Sequence, residues 1–394
     1  MSINLAMDRR SLFVAMLIAC VSIFGTANNF ASRIKAVILG DSNFVCVVPD
    51  SLVQLTVNLL FLTVFTIRGK VPQSQFRYIF VCARSFAQNG AWKYLALAGS
   101  SDIANNVTGL AAQPYLTTFM MSLMDQATTP FTVVFSVLLL KIRYNCLEIV
   151  SVVVIIFAAV TCVLIAGAHG GEGSSQFWAF FAAITTSFAA LSFVLKEIVF
   201  TGFRNSQNGD LHTALRIQLQ QPPFSDANSE QLQRRLNEGG LLEAAGPDIP
   251  DIVAPDNLNV FLVGSVINFV GLLSSVPIAL LNHAAVSSGP SMPALVDGLR
   301  LLFEKEHAMT AYVVYICINT IFNLSLILTT SYGSALLSFL SLKAAVPLTA
   351  ILSAVPWPVI GPKPLNAADW LALLVLIAGI VAFRVGNLQR EKHA

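Results

Sequence analysis

Charge is scarce in this sequence. Only 11% of its 394 residues are Asp, Glu, Lys or Arg, against about 25% in an ordinary soluble domain. The formal net charge is +2, so the strongly basic surface that a nucleic-acid partner demands is missing. Histidine is rare too. His169, His212, His283, His307 and His393 fall in expected loops or the tail, which leaves no metal-ligating set inside the apolar runs. No HExxH motif, P-loop or GxSxG motif occurs. The six cysteines (Cys20, Cys46, Cys82, Cys146, Cys162 and Cys317) show neither zinc-ligand nor C-x-x-C spacing, and read as small hydrophobes in or beside apolar stretches. Asp125 has no second deep acid with which to form a carboxylate dyad. The expectation is therefore a protein without cofactor, metal or nucleic-acid partner, and not an enzyme.

Apolar side chains make up the rest. They account for 55% of the chain, and the mean hydropathy is +0.71. A soluble core of this composition would leave large sticky patches, whereas a lipid bilayer absorbs it. A spanning helix needs about 20 mostly apolar residues. Hydropathy places about ten, near 11–30, 47–67, 77–99, 117–140, 146–166, 177–200, 258–281, 310–330, 333–354 and 367–386. They are expected as helices, because an open strand edge in lipid leaves amides unpaired and alternating segments are too few for a barrel. The first run follows Arg9 and Arg10 and ends near Gly25-Thr26-Ala27, a pattern shared with cleaved signal peptides. An uncleaved span is expected, since its removal leaves nine.

Lys and Arg in the short loops favour both termini on the cytosolic side. Ten, among them Arg68, Lys70 and Lys141, share the side of the termini, and five lie opposite: Arg33, Lys35, Arg300, Lys305 and Lys363. Asn106-Val107-Thr108 then falls in a non-cytosolic loop, 99–116, which makes Asn106 a glycosylation candidate. Residues 201–257 are rich in proline and acids and read as a disordered cytosolic linker, with a short helix around 231–245. The linker interrupts the second of two groups of five spans: 11–166 form the first, and 177–200 with 258–386 the second. Residues 291–306 are too short and too charged to span, and read as an amphipathic surface helix.

The halves echo each other. Ser122-Leu-Met-Asp-Gln-Ala-Thr-Thr-Pro130 in the fourth span parallels Ser341-Leu-Lys-Ala-Ala-Val-Pro347 in the ninth. Each sets a charge about a turn before a proline. Gln88 and Asn89 in the third span match Asn319 and Asn323 in the eighth. Five spans per half make this an inverted repeat, an arrangement that places a solute site at the midplane. A buried Asp, Lys or Arg costs about 2.5–3.5 kcal/mol at the bilayer centre on insertion scales. Lys343, Asp125 and Arg84 are thus candidate cavity residues: Lys343 for an anionic group, Asp125 for a proton or cation. The competing reading is a structural ion pair or a side chain reaching to the interface. Gln88, Asn89, Asn319 and Asn323 either line the same cavity or bind helices together. Pro130 and Pro347 are candidate hinges, or simply the prolines common in membrane helices.

Four stretches carry a family resemblance: Lys196-Glu-Ile-Val-Phe200, Phe383-Arg-Val-Gly-Asn387, Phe135-Ser-Val-Leu-Leu-Leu-Lys-Ile-Arg-Tyr144 and the Pro347 region. In these the chain resembles the chloroquine-resistance-transporter-like family of the drug/metabolite transporter superfamily, over about residues 77–390. The resemblance implies ten helices in two inverted five-helix repeats, around a cavity open to one side at a time. It also implies a vacuolar, lysosomal or plastid membrane, and export of amino acids, short peptides, glutathione-like thiols or cationic drugs, in some members with protons as coupling ion. The 291–306 helix matches a juxtamembrane helix of that family. Residues 282–309 lack the cysteines of the parasite members' lumenal loop, and the 201–257 and 99–116 segments also differ. Lys343 argues against cationic drugs.

The expected protein is thus an all-α membrane protein and secondary transporter. Its partners are lipid, a small zwitterionic or anionic solute and protons. A nucleotide-sugar or phosphate-ester exchanger and a non-transporting receptor are the alternatives.

Overall fold

A computed structural model describes residues 9–80, 90–169, 173–219, 258–286, 290–332, 335–357, 359–360, 370–371, 373–375, 377–379, 381–382 and 385–386. Among these residues every regular element is helical. The chain divides into two units, Met1–Ile198 with Asn259–Ala394, and Val199–Leu258. The first carries the bundle and the cavity discussed below. The second is described only to Leu219, where it is helical.

Helix α1 (Arg9–Leu39) ends at Gly40, whose φ of 59° no β-carbon opposes. A 3-10 segment, Gly40–Cys46, leads into α2 (Val47–Ile67), which stops at Gly69 with φ 67°. A short helix α3 (Gln73–Phe80) precedes α4 (Trp92–Ala112). Helix α5 (Thr118–Met124) opens on Thr117, whose hydroxyl accepts from the Met120 N–H at 3.1 Å. A 3-10 turn, Asp125–Ala127, separates it from α6 (Thr128–Phe135). Pro130 accounts for that break: it has no N–H to offer the Gln126 carbonyl one turn back. Five π-helical residues, Ser136–Leu140, close this arm. There follow α7 (Cys146–His169), α8 (Gly173–Leu219), α9 (Val260–Val286), α10 (Ser291–Glu304), α11 (Ala308–Tyr332) and α12 (Ala335–Ser353).

Five described stretches are long and apolar enough to cross a membrane: Ala15–Ile67 (which holds both α1 and α2), Met120–Leu140, Gln176–Gln207, Val260–Val286 and Ala308–Thr330. Cys146–Phe157 and Ser341–Ser353 are shorter apolar helices. Large apolar side chains stay exposed along them, Leu60, Phe157, Phe180 and Leu273 among them, as a lipid-facing surface requires. The chain is an all-α membrane protein.

Three expected boundaries differ in the structure. The span expected at 77–99 is not one helix. Residues 73–80 form α3, 81–89 lie outside the described residues, and α4 occupies 92–112, where a loop over 99–116 was expected. The cause is visible in α4 itself. Ser100, Ser101, Asp102, Asn105, Asn106 and Thr108 interrupt its apolar residues, and a hydropathy average cannot distinguish a two-faced helix from a loop. Likewise α1 runs past residue 30 to Leu39, so Arg33 and Lys35 are helical and not loop charges. Helix α8 continues to Leu219, where a linker from 201 was expected. Residues 220–257, with the helix expected at 231–245, lie outside the described residues.

Small residues let the helices meet. The Ser22 hydroxyl donates to the Ser341 carbonyl at 3.0 Å, and Thr26 to that of Ala345 at 3.2 Å, which seats α1 on α12. Gly99 on α4 lies so close to α9 that an added β-carbon would sit 2.5 Å from the Ile267 carbonyl oxygen. Such close approach is how helices pack where lipid removes the hydrophobic drive. Helix α10 turns Leu295 and Leu302 inward, where they join Phe44, Val45 and Tyr312 in one apolar cluster.

Gly99→Val should force α4 and α9 apart at a cost of about 1–3 kcal/mol. Thermal unfolding of the detergent-solubilised protein should show a midpoint lowered by several degrees. Gly109→Ala, whose added carbon meets nothing within 4 Å, is the control. Equal midpoints for the two variants would refute this crossing.

Candidate functional site

A cavity of about 360 Å³ lies within the bundle, in the size range of roughly 300–1,000 Å³ typical of small-molecule sites. Helical periodicity builds its polar wall. On α1 the lining residues Gly25, Asn28, Asn29, Ser32 and Arg33 recur at three- and four-residue steps. On α2 Asp50, Gln54 and Asn58 follow one another every fourth residue, and on α11 Tyr315, Asn319 and Asn323 do the same. Each of these helices buries a polar stripe inward and presents apolar side chains outward.

Among the described residues, six charged side chains line the cavity, three acids (Asp50, Asp102, Asp125) and three bases (Arg33, Lys196, Lys343), and their formal charges balance. They are not equivalent. Lys196 on α8 forms an ion pair with Asp102 on α4, Nζ to Oδ2 2.6 Å. Lys343 is only 4% exposed. Its ammonium donates to Gln126 Oε1 at 2.9 Å and to the Thr129 hydroxyl. Gln126 in turn donates to the Ser122 carbonyl at 3.1 Å, and Asn29 to the Ser122 hydroxyl at 2.9 Å. This network ties α12, the broken α5–α6 arm and α1 together. Asp125, in the 3-10 turn, is exposed into the cavity. Among the described residues it makes no ion pair within 4 Å, although Lys343 is near enough to act on it through charge. A direct Asp125–Lys343 bridge is therefore replaced by amide and hydroxyl contacts to the lysine.

Lys343, Asp125, Asn319 and Asn323 thus share one cavity, and Asn323 donates to Asn319 at 3.1 Å. Arg84, Gln88 and Asn89 lie outside the described residues. Pro130 and Pro347 sit within α6 and α12 and not among the lining residues. Asn106 lies on the cavity side of α4. The surface loop that glycosylation at Asn106 required is a helix instead. Among the described residues no group of three His, Cys, Asp or Glu side chains is placed to hold a metal ion.

Sequence reasoning missed Arg33, Asp50, Gln54 and Asp102. The Asp50-Gln54-Asn58 spacing was the available signal, since three polar residues on one helical stripe of an apolar span indicate a wet interior. Lys35, read as a loop charge, is fully buried with Nζ 3.6 Å from the centre of the Tyr315 ring, a cation–π contact.

Residues 53–211 match the model of the family described as CRT-like, chloroquine-resistance transporter-like. A curated relative, Crt homolog 1 of Dictyostelium discoideum, is 24% identical over 295 residues, which is 70% of this chain and 55% of that protein. The chain spans about half the length of this curated relative. The CRT-like match contains Asp102, Asp125 and Lys196, while Lys343 and the α11 asparagines lie outside it. Together with the apolar helices, this similarity supports an integral membrane protein.

Removing either partner of the Asp102–Lys196 pair leaves a charge in the bundle, at a cost reduced by the partial exposure of the two side chains (28% for Asp102 and 14% for Lys196). Asp102→Asn and Lys196→Met should each lose about 1–3 kcal/mol. The double variant should be more stable than either single one. Thermal unfolding of all four proteins in one detergent completes the cycle, and strictly additive losses would show that the pair is uncoupled.

Proposed function

We propose that the chain is a secondary transporter that moves a small zwitterionic or anionic metabolite across an organelle membrane by alternating access. An amino acid, a short peptide or a glutathione-like thiol fits this class. One observation carries the reading: a charge-balanced, polar cavity inside an otherwise apolar helical bundle. An apolar bundle has no packing reason to bury six ionisable side chains around a space. A CRT-like sequence and a membrane-helical architecture point the same way.

The proposed framework is ten spanning helices in two inverted five-helix repeats, with both termini cytosolic and α10 on the opposite membrane surface. The membrane would be vacuolar, lysosomal or plastid. The proline echo supports the repeat. Pro130 leaves the Gln126 carbonyl without its helical donor, and Pro347 does the same to that of Lys343. The side chains of these two residues then bond to each other at 2.9 Å. Paired weak points in facing helices suit a movement of one repeat against the other. Asp125, exposed to the cavity and in no ion pair among the described residues, is the proposed proton carrier. The neutral charge balance disfavours a multiply charged phosphate ester.

Uptake into proteoliposomes, with and without an imposed pH gradient, tests the reading. The panel comprises glutathione, basic and neutral amino acids, dipeptides and a nucleotide sugar. Saturable uptake of an amino acid, peptide or thiol is expected, accelerated by the gradient and lowered at least tenfold by Lys343→Ala. Uptake of nucleotide sugar alone, as exchange, would establish the exchanger reading instead. Ligand binding without flux would establish a receptor.

A further inference from the structure

Among the described residues, a few buried polar atoms at the cavity wall remain without partners; apart from Thr118 Oγ1 on α5, they all lie on α1 and α2. Lys196 is bound to Asp102, and Lys343 to Gln126 and Thr129. By contrast, Arg33 Nε and Nη1, Gln54 Nε2, Asn28 Oδ1 and Asp50 Oδ1 are buried with no hydrogen-bond partner. All four side chains line the cavity. Arg33 stands six residues before the end of α1, about 9 Å along its axis, and Asp50 three residues into α2, about 4.5 Å. The short 3-10 segment between the helices keeps both at the same end of the bundle.

Unpaired buried polar groups are rare in native proteins because each has given up water for nothing. Five such atoms in one wall are groups that a polar solute could satisfy. Their chemistry is specific. Arg33 offers unpartnered N–H donors on Nε and Nη1 of a guanidinium, a cation suited to donate to a carboxylate. Asp50 offers a carboxylate oxygen and Asn28 an amide oxygen, acceptors for an ammonium. Lys35 acts on Asp50 through charge, and the Tyr312 and Tyr315 hydroxyls face it from α11. Arg33, Lys35 and Asp50 together carry a net positive charge, so a solute carboxylate is the anchor and its ammonium the second contact.

We infer that this end of the cavity is the subsite for the head group of an α-amino acid, with Arg33 taking the carboxylate, and Asp50 with Asn28 the free ammonium. The inference rests on the transport reading and deepens it. It moves solute recognition away from Lys343, two of whose three donors are already occupied, to residues on α1 and α2. It further requires both a free carboxylate and a free amine on the solute.

Binding to the purified full-length protein is measured in detergent by thermal shift and, in proteoliposomes, by uptake. The probes are leucine, arginine and glutamate, each beside its methyl ester and its N-acetyl derivative. At least one free amino acid should bind, and its ester and N-acetyl forms should bind about tenfold more weakly or worse. Arg33→Gln should erase the preference over the ester and keep the preference over the N-acetyl form. Asp50→Asn should do the reverse, and Arg33→Lys should recover part of the loss. The derivative series on the unaltered protein decides the matter even where a variant fails to fold. Esters and N-acetyl forms that bind as well as the parent would overturn the inference. So would variants that weaken every probe equally, or binding of none of the three. The two readings fail separately: discriminating binding without flux keeps the subsite and removes the transporter, whereas flux without discrimination keeps the transporter and removes the subsite.

Discussion

A lysine cannot lie inside an apolar bundle without partners, and the contacts of Lys343 organise much of what surrounds it. Its ammonium is met by Gln126 and Thr129 across the helix boundary. Gln126 lies within the 3-10 turn that Pro130 forces into the α5–α6 arm, and Thr129 just after it. An unbroken helix there would present a different face to α12. The proline, the turn, the amide and the lysine therefore form one arrangement, in which the backbone break places the side chains that make the charge affordable. Asn29 extends the network to α1 through Ser122, so three separate segments of the chain depend on the same polar knot.

The rest of the bundle follows the same economy of polar groups. Where water is excluded, polar side chains gather on the faces that helices turn toward one another. The stripes on α1, α2, α4 and α11 enclose a cavity, while leucine and phenylalanine remain on the outside. Glycine and serine permit the close crossings that bring the stripes together, as at Gly99 against Ile267 and Ser22 against Ser341. Packing and polarity are linked here: the small residues that admit a neighbouring backbone also decide which polar groups can reach each other.

The cavity separates charges that are spoken for from charges that are not. Asp102 and Lys196 satisfy each other, and Lys343 is held by neutral partners. Asp125, Arg33 and Asp50 keep capacity to bind something else. A wall with free groups of both signs suits a solute that itself carries both, and the proposed movement of a zwitterion is the reading that uses all of them.

Much of this was legible in the chain before any coordinates. The scarcity of charge and the long apolar runs determined an all-α membrane protein, because lipid tolerates no other backbone arrangement for such segments. Lys343, Asp125, Asn319 and Asn323 stood out for the same reason: a polar residue deep in an apolar run is costly enough to be visible in one dimension. Tertiary structure alone decided the rest. It turned the expected 99–116 loop into helix α4, since averaged hydropathy loses the difference between two faces of one helix. It made Arg33 and Asp50 cavity residues, because burial near a helix end depends on neighbours. It gave Lys343 partners more than 200 residues away in the sequence, and no local pattern encodes a distance closed only by folding.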